Sequence, residues 1–315
     1  MSIRRALVHV PATSSNLGAG FDCVGVAVGP RLRLSATLDP DSDAAISIDR
    51  AGTLAALSSA APTDDLLVTG MRAACASAGR DLPAGLSLQA SSEIPVARGL
   101  GSSAAALVAG AVAIDALLQL RLGDLAIAAA AAGAEGHPDN VAPAVWGGTV
   151  LTLTGADGRL SVTPLQVAPS LVLVLAVPDF TSRTDSARHV LPATLPHADA
   201  VRAASLGAAL VQGLATADAT LLTAALTGDV LHIPFRRQLI RGYDDVTAAA
   251  TDAGAYGATL SGSGSSLVAV APVERAPAVA DAMRAAWAGC GVTAQTLVSE
   301  LSGPGYTVSV QVDRM

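Results

Sequence analysis

Pro95-Val-Ala-Arg-Gly-Leu-Gly-Ser-Ser103 stands between a short β-compatible run, residues 86–90, and an almost unbroken apolar stretch, residues 104–120. No other part of the chain restricts the fold so tightly. It calls for a strand, a glycine turn and a buried helix, in that order. Glycines leave backbone N–H groups uncovered, and a following helix adds its own unpaired amides and the positive end of its dipole. Such a loop cradles phosphate oxygens, with Ser102 and Ser103 where a hydroxyl reaches a phosphate or its magnesium. The G-x-x-x-x-G-K-[ST] spacing of the Walker loop is missing. The chain has no lysine; its 19 basic residues are all arginine. A lysine phosphate clamp and Schiff-base chemistry are therefore excluded.

A chain of 315 residues holds one large or two medium domains. Aromatic residues supply only 3% of it, so the core must be built from Leu, Val, Ile and Ala, with helices packed closely. The net charge of −7 argues against a broad surface for nucleic acid or for an anionic membrane. Cys23, Cys75 and Cys290 are odd in number and far apart, which reads as free thiols in a reducing cytoplasm. The longest apolar run, residues 104–118, is interrupted by Asp115 and rich in small side chains, and suits a buried helix better than a membrane span. The stretch behind Arg4 and Arg5 is too short for a signal-peptide core. A cytoplasmic protein is expected.

Periodicity predicts strands at residues 3–10, 31–38, 44–50, 86–90, 147–154 and 170–177, and near 305–312. A strand–glycine turn–strand is expected over 257–270. Helices are expected at 64–78, 103–120, 124–134, 197–215, 217–227, 242–253 and 275–288. The elements mix without regular βα alternation, which implies an α+β protein. The turn-rich stretch 155–169 is the expected seam, giving domains at 1–160 and 161–315.

Four further segments concentrate polar chemistry. Pro11-Ala-Thr-Ser-Ser-Asn16-Leu-Gly18-Ala-Gly20-Phe-Asp22 is either a loop folded around a small polar ligand or a turn-rich strand connection. Glu135-Gly-His137-Pro-Asp139-Asn140 closes an alanine-rich helix. A transition metal there would need three or four ligands, whereas magnesium needs one or two carboxylates plus phosphate and water. Glu135 is the economical choice for that carboxylate, against a plain exposed helix end. Arg183, Arg188 and Arg236 are either carboxylate-binding guanidinium groups or surface ion-pair residues. Leu260-Ser-Gly-Ser-Gly-Ser-Ser266 is either a hairpin turn or a second glycine turn that approaches the first from another domain.

Taken together, these motifs resemble the GHMP kinases. Val8-His-Val-Pro-Ala-Thr-Ser-Ser-Asn-Leu-Gly-Ala-Gly-Phe-Asp22 is similar to the family's first signature, 95–106 to its phosphate loop, and 257–268 to its third motif. Glu135 to Pro143 (EGHPDNVAP), Ala187-Arg188 with Leu191-Pro192, and His232-x-Pro-x-Arg236 narrow the resemblance to the homoserine kinase branch. It implies a two-domain GHMP kinase fold, with a ribosomal protein S5 domain 2-like N-terminal domain and a ferredoxin-like C-terminal domain. It implies transfer of the ATP γ-phosphoryl group to the side-chain hydroxyl of L-homoserine, on the route to threonine. By position, Pro95, Arg98, Gly99, Leu100, Gly101, Ser102, Ser103 and Ala104 would hold the ATP phosphates, and Ser103 and Glu135 would hold Mg²⁺. Asn16, Asp22, His137, Asn140, Arg188 and Arg236 would bind the amino acid, with Asn140, Asp22 and Glu135 catalytic. A homodimer is compatible with the resemblance, and neither a nucleic-acid nor a membrane partner is expected.

The chain departs from the family pattern at three places. Ala19 stands where proline is common, Asp64-Asp65-Leu66 where an asparagine precedes the leucine, and Gly262-Ser-Gly-Ser-Ser266 where Gly-x-Gly-Pro-Thr is usual. Two rivals stay open at this point: a GHMP kinase acting on mevalonate, an isoprenoid phosphate or a sugar, and a nucleotide-binding regulator that has lost catalysis.

Overall fold

The computed structural model describes residues 3–57, 61–181 and 184–312, with backbone alone for 184–186. The chain opens with two long antiparallel strands, β1 (Arg4–Asn16) and β2 (Gly20–Leu38). Their register jumps at Pro11/Ala12, so Gly29 and Pro30 of β2 go unmatched. Proline lacks the N–H that a ladder needs, and a bulge there bends the pair. The bend splits the far edge of β2 between two partners. Leu32–Leu38 pair with β4 (Leu86–Ser92), and Val24–Val26 pair with β5 (Thr149–Thr154). β3 (Ser47–Gly52) lies parallel to β4, and β6 (Leu160–Pro164) pairs with β5. The last strand, β11 (Thr307–Val312), returns to pair with β1 and completes a seven-stranded sheet.

Helix α1 (Leu66–Ser77), α2 (Ser102–Leu118) and α3 (Asp124–Glu135) cover this sheet. From Ala104 through Ile114 every residue of α2 is buried, which explains why that stretch carries no polar face. Glycines let the neighbours approach. A Cβ on Gly70 of α1 would lie 2.0 Å from the Leu107 carbonyl oxygen, and one on Gly110 of α2 would lie 1.9 Å from that of Leu67. The short α4 (Val141–Trp146) leads into β5.

The second sheet has the order β10-β7-β9-β8, all antiparallel, from β7 (Leu171–Pro178), β8 (Gly257–Leu260), β9 (Leu267–Pro272) and β10 (Ala294–Glu300). Side chains of β7 alternate between two cores. Leu171, Leu173 and Leu175 join the core of the first sheet. Val172, Val174 and Ala176 face α9 (Tyr243–Asp252) and α10 (Ala276–Gly289), where Met283 and Trp287 fill the space. Between β7 and β8 run α5 (Thr184–His189), α6 (His197–Thr216), α7 (Ala219–Thr227) and α8 (Ile233–Arg236).

Five helices and strands went unread in the sequence: α4, α5, α8, β6 and β10. β1 and β2 also run past their expected ends, so Thr13, Ser14 and Ser15 are strand residues rather than loop. β6 and β11 belong to the first sheet although β11 and nearly all of β6 follow residue 160, so the two sheets are not the two halves of the sequence. Cys23, Cys75 and Cys290 are free thiols. Among the described residues no helix is long and apolar enough to cross a membrane.

The contact between α1 and α2 leaves no room for even one methyl group. Gly110→Ala and Gly70→Ala are each expected to cost about 1–3 kcal/mol by overpacking. Gly133→Ala, on α3 with nothing near its missing Cβ, is expected to stabilise by up to about 1 kcal/mol. Urea unfolding midpoints of the three variants check this; equal shifts for all three would contradict it.

Candidate active site

The loop ahead of α2 takes left-handed backbone at Ala97, Gly99 and Gly101, with φ of 55°, 72° and 63°. Gly101 is the residue that starts the helix, and its neighbours forbid a side chain: a Cβ would lie 1.9 Å from Thr13 Oγ1. A Cβ on Gly99 would lie 2.1 Å from the Ser261 carbonyl oxygen. No side chain caps α2, so its first amides stay open at the mouth of the loop. The second glycine turn, between β8 and β9, does approach the first. Ser261 Oγ donates to Gly99 O at 2.6 Å, Ser266 N to Arg98 O at 3.1 Å, and Gly262 N to Ser15 O at 3.1 Å.

Ser103, in the first turn of α2, donates to Glu135 Oε1 at 2.5 Å from the end of α3. A hydroxyl and a carboxylate oxygen thus converge beside the phosphate loop. That pair suits a hard ion completed by phosphate oxygens and water. Among the described residues no group of three or more His, Cys, Asp or Glu side chains is placed to hold a metal, which sets the alternative of a transition-metal site at His137 and Asp139 aside.

One end of the cleft is polar. Asn140, at the start of α4, accepts from Thr13 Oγ1 at 2.8 Å and donates to Ser15 Oγ at 3.0 Å and Asp139 Oδ1 at 3.3 Å. His137 Nδ1 meets Asp139 Oδ1 at 2.6 Å. Burial pulls the His137 pKa down, but the bond to Asp139 and the charges of Asp139 and Glu135 outweigh it, leaving it above the usual imidazole value. Asn16 links the second glycine turn to the end of the first signature: Nδ2 donates to Gly262 O at 3.0 Å, and Oδ1 accepts from Asp22 N at 2.9 Å. Asp22 and Arg188 form a two-point ion pair at 3.2 and 3.1 Å. Arg236 is buried; its Nε donates to Ala187 O at 2.9 Å, and its guanidinium lies 5.0 Å over the Phe21 ring.

His232 holds this corner together. It stacks on Phe21 at 4.7 Å, and its Nε2 lies 3.0 Å from Gly18 O. Nε2 therefore carries the proton, and Nδ1 accepts from Arg236 Nη1 at 3.5 Å. Burial lowers the His232 pKa, in keeping with that neutral tautomer. Burial likewise lowers that of Arg236.

Asn16, Asp22, His137, Asn140, Arg188 and Arg236 line one cleft of about 400 Å³ together with Glu135 and residues 98–103. Pro95 and Ala104 do not line it; the Ala104 side chain is buried in the core under α2. Arg98 lines the cleft, but its guanidinium is turned onto backbone carbonyls of Val96, Pro178 and Asp179. Arg183 lies outside the described residues. The other end of the cleft is apolar, with Leu54, Leu57, Leu66 and Ala106, closed by an ion pair between Arg50 and Asp65 at 2.6 Å.

Several residues that build the site went unread in the sequence. Thr13 and Ser15 lie two apart on β1 and so share a face, a period-two signal hidden in a run read as loop. Asp229 accepts from the backbone N–H of His232 and Ile233, at 2.9 and 2.8 Å, and fixes α8. An aspartate shortly before a helix that opens with proline is a legible start signal.

The known proteins that this chain resembles fit that geometry. The family described as GHMP kinases N terminal domain matches residues 65–148, and GHMP kinases C terminal matches 210–289. The chain is 39% identical over 302 residues to the homoserine kinase of a Picosynechococcus species, covering 96% of this chain and 98% of that protein. It is 42% identical over 303 residues to that of a Nostoc species, covering 95% and 97%. The crystal structure of homoserine kinase from Cytophaga hutchinsonii superposes with a TM-score of 0.85 at 30% identity, covering 97% of each chain. A glycine loop at a bare helix mouth, a hydroxyl–carboxylate pair beside it and full-length kinship agree: this chain belongs to the GHMP kinases, in the homoserine kinase family.

Proposed function

We propose that the cleft transfers the γ-phosphoryl group of ATP to the side-chain hydroxyl of L-homoserine, with magnesium held by Ser103 and Glu135, and that it does so in the cytoplasm. The observation that carries this reading is the convergence of Ser103 and Glu135 at 2.5 Å beside the open amides of α2, between an apolar and a polar end of one cleft. Magnesium, when bound, neutralises charge on the phosphates. The amides at the loop and the dipole of α2 do the same from the protein side. The base of ATP takes the apolar end, and the triphosphate crosses the loop.

Homoserine is a zwitterion, so it needs a cation for its carboxylate and an anion for its ammonium group. Arg236 and Arg188 suit the first and Asp22 the second. In the structure Asp22 and Arg188 neutralise each other, both with side chains a little over one-third exposed. A pair so exposed costs only about 0–1 kcal/mol to open, so a zwitterion can replace it with two contacts of its own. Asn140 is held on both sides by Thr13 and Ser15, which suits a residue that orients the reacting groups. The two nearby aspartates are engaged, Asp22 by the ammonium group and Asp139 by His137 and Asn140, so in-line positioning and charge neutralisation carry the rate without a strong base.

A panel of acceptors with Mg–ATP, read by ADP release, is expected to give L-homoserine the highest kcat/KM. Mevalonate or galactose outperforming it would end the assignment. Arg236→Ala is expected to raise the homoserine KM at least about tenfold, with a smaller effect on the ATP KM.

Glu135→Ala is expected to cut Mg²⁺-dependent turnover by about 100-fold or more while the protein stays folded by circular dichroism. An unaltered rate would remove Glu135 from the metal site. The regulator reading would be favoured by a different result, a wild-type chain that binds ATP without turning it over.

A further inference from the structure

We propose that Arg98 is a positioning residue that ties the phosphate loop to the chain segment serving the amino-acid end of the cleft, and is not a phosphate ligand. Its place in the loop suggests the opposite. Yet each of its three guanidinium nitrogens donates to a backbone carbonyl: Nη1 to Val96 at 3.0 Å, Nε to Pro178 at 2.9 Å and Nη2 to Asp179 at 2.8 Å. The last two stand where β7 leaves the second sheet. The next carbonyl along, Phe180, accepts from Ser265 Oγ at 2.5 Å, and Ser265 is fully buried in the second glycine turn. That turn in turn holds Arg98, because Ser266 N donates to the Arg98 carbonyl at 3.1 Å.

Three successive carbonyls, at 178, 179 and 180, are therefore gathered by the two glycine turns. A strand that leaves its sheet presents such unpaired acceptors, and burying them without partners is costly. A planar guanidinium with five donors can reach carbonyls that diverge; an ammonium group concentrates its donors at one point. The chain then enters α5. There the Ala187 carbonyl accepts from Arg236 Nε at 2.9 Å, and Arg188 makes its two-point pair with Asp22. The direction in which residues 178–180 leave β7 thus bears on where Ala187 and Arg188 stand. Arg98 links the arrangement of the phosphate loop to that of the amino-acid site. The tie stands on these bonds alone, while its effect on homoserine rests on the function proposed above.

The test is steady-state kinetics of the full chain with ATP and L-homoserine varied separately, for Arg98→Ala, Arg98→Lys and Ser265→Ala. Arg98→Ala is expected to raise the homoserine KM at least about tenfold while the ATP KM moves less than about threefold. Arg98→Lys should not rescue it, and Ser265→Ala should move the homoserine KM the same way by a smaller factor. A rise in the ATP KM with the homoserine KM unmoved assigns a phosphate contact and overturns the proposal. Equal rises in both, an unmoved homoserine KM or full rescue by lysine overturn it too. Should Arg98→Ala fail to fold, Ser265→Ala carries the test alone. If the wild-type chain does not phosphorylate homoserine, the substrate reading fails and the tie is read by amide hydrogen exchange. Faster exchange at residues 187–190 in the folded variant than in wild type then supports it, and unchanged exchange there overturns it.

Discussion

Two glycine turns, one from each sheet, lie against each other, and the cleft depends on that contact. A loop with left-handed backbone at Ala97, Gly99 and Gly101 has much freedom to lose, roughly 1–2 kcal/mol per residue fixed. Within the loop, the bond from Arg98 Nη1 to Val96 O supplies a little of that. The hydroxyl of Ser261 does part of it, bonded to Gly99 O at 2.6 Å and lying 2.9 Å from Ser14 Oγ. Backbone bonds from Ser266 to Arg98 and from Thr13 to Leu100 supply more. Each such bond contributes about 0.5–1.5 kcal/mol, so several together can hold one loop shape ready for phosphate. The contact also explains Gly99, since any side chain there would strike the Ser261 carbonyl.

How much of this was legible in the sequence depends on what signal each residue leaves. The phosphate loop and α2 were legible because their chemistry is local: glycine, hydroxyl and apolar run follow one another without a gap. Glu135 stood out for the same reason, in a polar run that closes a helix, although the Ser103 hydroxyl it accepts from is 32 positions away. β1 and β2 were read too short because Thr13, Ser14 and Ser15 are buried polar residues whose partners, among them Asn140 and Ser261, lie far along the chain. Polar residues in a row read as loop unless those partners are known. β10 failed differently. Gln295, Thr296, Ser299 and Glu300 give it a weak apolar alternation; only Ser299 is buried, and the ladder to β7 holds the strand. Arg98 left no such signal, because a cation in a phosphate loop has an obvious local reading, while two of the three carbonyls it serves, those of Pro178 and Asp179, lie at the end of a strand in the other sheet.

The polar end of the cleft shows why its residues resist being sorted into structure and function. Asn16, Asp139 and Asn140 are all buried, and each is bonded to another member of the site or to the strands beneath it. Buried polar groups must be paired, and pairing fixes their direction. Asn140 can orient a substrate because Thr13 and Ser15 leave it one conformation. Arg236 can present a cation in a buried place because His232, Phe21 and the Ala187 carbonyl offset the loss of water.

The absence of lysine gives the site its electrostatic logic. A triphosphate crossing the loop brings several negative charges, and kinases commonly meet them with a lysine ammonium group among other cations. Here every basic side chain is an arginine, and the four arginines lining the cleft are engaged. Arg50 pairs with Asp65 at the apolar end, Arg188 with Asp22 at the polar end, Arg236 rests on Phe21 and the Ala187 carbonyl, and Arg98 serves three carbonyls. In the proposed reaction, compensation at the loop itself falls to backbone amides, the dipole of α2 and a divalent ion. Amides contribute only partial charge, about half a unit for a whole helix end. Under the function proposed above, the larger part comes from an ion at Ser103 and Glu135, and a single carboxylate at the end of α3 then weighs more than in a site where a lysine shares the load.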